Sequence, residues 1–262
     1  ENVLSDLGDN VSSIITEGLA SIQLASGWYG SLFNIEPSNG YWLRAPDDDI
    51  IGSDTIYHTI HDAIPTPSDH EYLIHPDYNL ISYIGINGVP IGDALPDDFE
   101  ENISSIIGEG VAAIKLSNGW HGNLVAFHRN NGYWLRNNLE DDTLYFSWEI
   151  PDEEFLFEEG NIVEERRVDR SNNFPYHQSS RQAFYFIDKI NLDERSLTKD
   201  DWIIAYNNNV VVGARKWNGH YTDIPAMGYD GYPSTLGYCE DGDVPEFKIY
   251  IDKTGELLDL IP

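Results

Sequence analysis

The sequence predicts a mostly β protein: two tandem, homologous small β-rich modules, each with one short helix, followed by a third module of β-sandwich type. Three observations carry this. Residues 10–44 and 102–136 align without a gap, with 20 of 35 positions identical, an internal duplication at an offset of 92 residues (Asn10 to Asn102). The apolar runs outside the duplication are short and are separated by Gly, Asn and Asp. Hydrophobic residues make up 41% and aromatic residues 13% of the 262, ample for a packed core. The expected modules are 1–75, 76–150 and 173–262, with a charged linker over 151–172.

Each element has its own local signal. The first copy, NVSSIITEGLASIQLASGWYGSLFNIEPSNGYWLR, is predicted to run helix, strand, Gly27–Gly30 turn, strand, Asn39-Gly40 turn, strand over Tyr41–Leu43. In the second copy, Tyr78–Tyr83 alternates as a lead-in strand, followed by turn residues and Ile91–Leu95. Pro96 and the acids of DDFEEN suit a helix N-terminus. Phe99, Ile103, Ile106 and Ile107 would fall on one face, and Gly108 or Gly110 would end that helix. Ala112–Leu116 then reads as a strand, Gly119–Gly122 as a turn, Asn123–Phe127 as a strand, Asn130–Gly132 as a tight hairpin turn and Tyr133–Arg136 as a third strand.

The first copy has no counterpart of Tyr78–Tyr83 within this chain, which opens at Glu1 rather than Met and so reads as processed or as a fragment. Its sheet is expected to be one strand short, with the slot filled by a neighbouring segment or subunit. In the last third, Gln182–Ile187 is a strand, Trp202–Tyr206 with Val210–Arg215 a hairpin, and Glu246–Ile251 with Glu256–Leu260 another. The stretch from Asp223 to Gly231, with Pro225, Gly228 and Asp230, is expected to be loop.

Charge narrows the function classes. Asp and Glu outnumber Lys and Arg 45 to 15, giving a net charge of −30. Such a chain repels phosphate backbones and anionic lipid surfaces, so nucleic-acid partners are excluded. No apolar run reaches the length of a membrane span. Saline surroundings suit this charge, because salt screens the self-repulsion; the acids also keep exposed strand edges from pairing. A single cysteine, Cys239, gives no intrachain disulfide and no Cys-based metal site.

Two sets of marks carry a resemblance. One is Asn79-Leu80-Ile81-Ser82, Ile106–Gly110, Gly119–Leu124 and Gly132–Trp134. The other is Gln182–Phe186, Val212–Trp217, Asp223–Gly231 and Pro245–Tyr250. Together they resemble tandem GW/GYW-type modules and a QAFYF–VGARxW–FKIY module of secreted marine bacterial and marine phage proteins. The resemblance implies an extracellular, cell-surface or virion-associated accessory protein and brings no catalytic residues with it.

Each candidate site residue also has a plain structural role open to it. Trp28, Trp42, Trp120 and Trp134 recur at matched positions and read either as core aromatics or as platforms for a glycan. Arg44 and Arg136 close equivalent strands and could hold a carboxylate. No cofactor is implied, except that acidic clusters suit Ca²⁺, with Asp223, Asp230, Asp241 and Asp243 as weak candidates. His58, His61, His70 and His75 crowd a short span, but His58 and His61 would point to opposite faces of a strand. No nucleophile elbow, Cys/His pair, P-loop or dinucleotide fingerprint is present. The expected function is structural: assembly through protein partners or self-association. The alternatives are adhesion or carbohydrate binding and, behind it, a hydrolase with a carboxylate pair that no motif reveals.

Overall fold

The computed structural model describes residues 7–45, 64–151, 174–192 and 195–261. The chain is mostly β, as its composition and turn spacing predict. Among the described residues no helix is long and apolar enough to cross a membrane. His58, His61 and all but the first residue of the 151–172 segment lie outside the described residues. Two compact units form: one from residues 1–108 and 126–164, the other from 109–125 and 165–262.

In the first unit, the leading repeat makes strands β1 (Ser13–Thr16), β2 (Leu19–Leu24), β3 (Gly27–Gly30) and β4 (Trp42–Arg44). They form an antiparallel sheet in the order β3-β2-β1-β4, with Ile14 opposite both Ser21 and Leu43. After it come β5 (Tyr72–Ile74), β6 (Asp77–Ser82), the two-residue β7 (Val89–Pro90), and two single helical turns, α1 (Ile91–Ala94) and α2 (Asp97–Glu100).

The expectation of a helix from Asp97 past Ile107 needs correction. The helix stops after one turn, and Ile103–Gly108 is strand β8. Asp98 accepts the Phe99 N–H at 3.0 Å through Oδ1, and Asn102 Nδ2 donates to the Asp98 carbonyl at 2.9 Å, which closes the turn at both ends. The next residues are Ile-Ser-Ser-Ile-Ile, and three β-branched isoleucines favour a pleated strand over a helix. The leading copy behaves alike: a 3-10 turn at Gly8–Asn10, then β1.

The chain then crosses into the second unit for hairpin β9 (Val111–Leu116) and β10 (Gly119–Gly122), and returns to the first for β11 (Ala126–Phe127), β12 (Gly132–Asn137) and β13 (Leu144–Phe146). In both copies the Gly-Trp-x-Gly segment is a strand, where the sequence suggested a turn. The second glycine of each segment is the reason. A Cβ on Gly30 would run into the Ala20 carbonyl, and one on Gly122 into the Ala112 carbonyl, so glycine lets β3 and β10 lie flush on their partners. Only Ala126–Phe127 of the expected strand over Asn123–Phe127 forms, and it pairs with β7 rather than returning through a hairpin to β12.

β12 has β8 on one side and β6 on the other. The core beneath is aromatic. Phe99 stacks on Phe146 at 4.0 Å between centroids, and Trp148 meets Tyr83, Phe127 and Phe146 edge-on, at 4.9, 4.9 and 5.0 Å. Trp148 donates its indole N–H to the Ser82 carbonyl at 3.1 Å, which leaves no buried indole donor unpaired there.

The remainder of the second unit is sandwich-like. β14 (Gln182–Ile187) pairs with β17 (Thr222–Met227), and β16 (Val210–Lys216), β15 (Trp202–Asn207), β18 (Glu246–Ile251) and β19 (Glu256–Leu260) form a four-stranded sheet in that order. Ile203, Ala205, Val212 and Ile249 from the larger sheet meet Ile224, Ala226 and Met227 from β17 in one apolar core. β17 is a fully buried strand where loop was expected. Pro225 is tolerated because β17 has a ladder partner on one edge only, so a missing N–H on the other breaks no pairing.

Candidate functional site

The most elaborate polar construction among the described residues holds hairpin β9–β10 inside the second unit. β16 supplies Arg215 and β17 supplies Asp223, 7% and 0% exposed. Asp223 Oδ2 accepts the Ala112 N–H at 3.0 Å, and its Oδ1 accepts the Asn123 N–H at 2.9 Å. Arg215 pairs with the same carboxylate through Nη2 at 3.1 Å. It also donates through Nε to the Asp223 carbonyl at 2.9 Å and through Nη2 to the Gly110 carbonyl. One ion pair therefore grips the hairpin at three backbone points, Gly110, Ala112 and Asn123.

Further contacts frame the grip. Asn218 Nδ2 donates to Asn123 Oδ1 at 3.1 Å, and the His121 and Tyr221 rings lie 4.6 Å apart. A Cβ on Gly122 would sit 3.0 Å from the Phe186 ring. Burial pushes the Asp223 carboxyl up to about 6, against the pull of the Arg215 guanidinium and the two amides, so it is ionised at neutral pH. Chemically this is a docking bracket: a desolvated charge pair whose hydrogen-bonding capacity is spent on the backbone of another element.

A second seam lies within the first unit. The edge of β6 that faces away from β12 takes residues 38–40 of the leading repeat. Asn39 bridges Ile81, the Gly40 N–H donates to the Leu80 carbonyl at 3.1 Å, and the Ser82 N–H donates to the Ser38 carbonyl at 3.1 Å. Glu17 reaches over to accept the Leu80 N–H at 3.2 Å and pairs with His75. The backbone hydrogen bond from His75 to the Pro76 carbonyl and the nearby Glu17 raise the histidine's pKa. β6 thus pairs with β12 of the second copy and bonds to residues 38–40 of the first. The equivalent glycines touch: a Cβ on Gly132 would sit 3.1 Å from the Gly40 Cα.

The structure separates the tryptophans. Trp42 stands opposite Ile15, which shares its face with Ala20, whereas Trp28 stands opposite Gln23, on the other face of the same sheet. In the second copy, Trp134 lies on β12 in the first unit, and Trp120 lies on β10 in the second, with Lys115 Nζ 5.3 Å from its ring. All four are partly exposed. The first repeat thus puts its two tryptophans on opposite faces, and the second puts one in each compact unit. Arg44 closes β4 opposite Ser13, and its carbonyl accepts the Ser12 N–H at 2.7 Å. Arg136 donates to Asp77 at 3.2 Å and lies over the Tyr78 ring.

The four aspartates proposed for Ca²⁺ have separate partners. Asp223 is in the bracket, Asp230 accepts from Thr235 Oγ1 at 2.6 Å, Asp241 pairs with Arg181, and Asp243 accepts the Glu240 N–H at 2.9 Å. Among the described residues, no three His, Cys, Asp or Glu side chains converge as a metal site would need. His70 packs edge-on against Tyr72, apart from the His75–Glu17 pair. Burial, with Asp243 adding to it, pushes the Cys239 thiol upward, away from a reactive thiolate.

Sequence reasoning missed Glu17, Arg215 and the role of Asp223. A signal for Arg215 existed: an arginine at the end of the apolar run VVVGA, at a position that alternation turns inward, calls for a buried acid nearby. Comparison with protein-family models, with curated proteins and with solved structures returns no match.

Proposed function

We propose that this chain is a non-enzymatic structural protein that works by protein–protein contact through its β-rich modules, in an extracellular, cell-surface or virion setting. One observation carries the reading: the sheet of the leading repeat leaves Ile22, Leu24 and Tyr29 45–51% exposed, on one face with Ala20 and Trp42. Contiguous apolar surface of this kind marks an interaction site more often than an idle surface. The net charge of −30 supports a saline environment, where such a surface can approach a partner without long-range repulsion. The resemblance to secreted and phage-borne modules supports the setting.

The test is the mass of the full chain, by sedimentation and native mass spectrometry, as a function of concentration and salt. Association that strengthens with salt is expected, and it should weaken when Ile22→Lys and Leu24→Lys place charge on the face. A chain that stays monomeric throughout, alone and with candidate structural partners from its source, would sink the reading.

The partial exposure of all four repeat tryptophans supports a second reading, adhesion to a glycan through single aromatic faces. Glycan-array binding that is lost on Trp28→Ala or Trp120→Ala in a folded chain would favour it over assembly.

A further inference from the structure

The duplication gives the chain two hairpins of one design, and the bracket occupies only one of them. Hairpin β2–β3 repeats β9–β10 in register: Ser21, Ile22, Gln23 and Leu24 face Gly30, Tyr29, Trp28 and Gly27 as Ala113, Ile114, Lys115 and Leu116 face Gly122, His121, Trp120 and Gly119. The backbone agrees too. φ is 69° at Gly18 and 68° at Gly110, and 123° at Gly27 against 113° at Gly119. The Leu32 N–H reaches the Ala20 carbonyl at 3.2 Å just as the Leu124 N–H reaches the Ala112 carbonyl at 3.1 Å.

The surroundings differ. Ala112 is buried to 1% under the bracket, whereas its counterpart Ala20 is exposed. The Ala112 N–H goes to the Asp223 carboxylate; the Ala20 N–H goes at 3.2 Å to Ser31 Oγ, a local hydroxyl in the carboxylate's place. The Gly110 carbonyl receives Arg215. Residues 18–35 contain no Asp, Glu, Lys or Arg, an uncharged island in a chain of net charge −30 and the place where another acidic chain meets the least repulsion.

We propose that hairpin β2–β3 is a second docking site for a β module of the kind formed by residues 174–261, carried on a separate polypeptide and presenting a desolvated Asp–Arg pair. The partner's carboxylate displaces Ser31 Oγ from the Ala20 N–H and draws the Ser31 N–H from the Ala20 carbonyl, which it now reaches at 2.8 Å, and the partner's guanidinium reaches the Gly18 carbonyl. This chain's own module is occupied by β9–β10, and each chain carries two hairpins for one module. A closed set of identical chains therefore always leaves hairpins over, which points to a partner that supplies the module. The inference rests on the assembly reading and names the partner's chemistry.

Two experiments on full chains decide it. In the first, residues 111–124 are rewritten as residues 19–32, seven changes that include His121→Tyr and Asn123→Ser. If the leading hairpin is a competent receptor, the rewritten chain keeps the docked unit. Asp223→Asn then lowers its melting temperature as much as in the parent. A rewritten chain that folds but no longer responds to Asp223→Asn overturns the proposal.

The second covers a rewritten chain that fails to fold. Gly122→Glu puts a side chain where Phe186 and the Ala112 carbonyl stand, expelling β9–β10 and opening the Arg215–Asp223 face. With Gly30→Glu added to it, so that it cannot dock on its own kind, and mixed with parent chain, it should form a two-chain complex by native mass, lost when the parent carries Gly30→Glu as well. No complex, or a complex that survives Gly30→Glu through hairpin-to-hairpin or other contact, overturns the proposal. Self-association of the parent alone is a separate measurement, so assembly and this docking site can fail independently.

Discussion

Asp223 shows how far a residue's type can mislead about its role. In the sequence it is one acid among 45, in a stretch of turn residues, and an oxygen ligand for Ca²⁺ is a natural expectation. Its position on a buried strand opposite Phe186, and the Arg215 beside it, are decided by pairings that no local pattern encodes. Removing one partner of such a pair strands the other charge out of water, so Asp223→Asn should destabilise the second unit by about 3 kcal/mol at neutral pH. The pH dependence has a definite sign. An unfolded aspartate titrates near 3.9, and the folded carboxyl is pushed up to about 6 by burial. Between those values the folded chain holds a proton that the unfolded chain has released, so this group's contribution falls as pH rises and levels off above about 6. Urea titrations of parent and variant at pH 4.5 and 7.5 should show the larger gap at the lower pH. A gap that does not change with pH would mean that the carboxyl titrates as an exposed one does.

Elements were legible where one signal dominated. The hairpins Trp202–Asn207 with Val210–Lys216, and Glu246–Ile251 with Glu256–Leu260, arise from alternation around Asn and Gly turns, and the structure forms both. Residues 97–107 were misread because Phe99, Ile103 and Ile106 satisfy a helical spacing by coincidence. The β-branched run decided the outcome. The Gly-Trp-x-Gly strands were hidden because glycine signals a turn and a close backbone approach equally well. These two uses can be separated by experiment. Gly119 and Gly122 both have positive φ, 113° and 128°, but a Cβ at Gly119 meets open space, while one at Gly122 strikes the Ala112 carbonyl and the Phe186 ring. Gly119→Ala should cost about 1 kcal/mol from backbone strain alone, and Gly122→Ala about 3 kcal/mol or more. Equal losses in thermal unfolding would show that β10 can shift to make room, and that the flush fit is not what fixes glycine there.

At the scale of the whole molecule, the duplication was legible from identity alone, but its consequence was not. Two copies of one segment form like elements, and yet the hairpin of the second copy belongs to the compact unit of residues 165–262, a partition set by Arg215 and Asp223 rather than by anything inside the repeat. Charge acts at this same scale. With 45 acidic against 15 basic residues, the folded state confines more like charge than the expanded unfolded chain does, and each added cation in solution relieves the folded state more. Among the described residues, surface ion pairs such as Arg136–Asp77, Arg181–Asp241, Arg195–Glu256 and Lys248–Asp259 are partly or largely exposed, so what salt takes from each is small. Raising NaCl from about 0.01 to about 0.15 M shortens the screening length from roughly 30 to roughly 8 Å, below the spacing of most carboxylates across a domain. The melting temperature should therefore rise over that interval and change little beyond it, as residual interactions fall inside the screening length. A melting temperature that falls with salt over the same interval would show that attractive pairs at the surface outweigh the net repulsion, and that the acidity of this chain is organised rather than merely abundant.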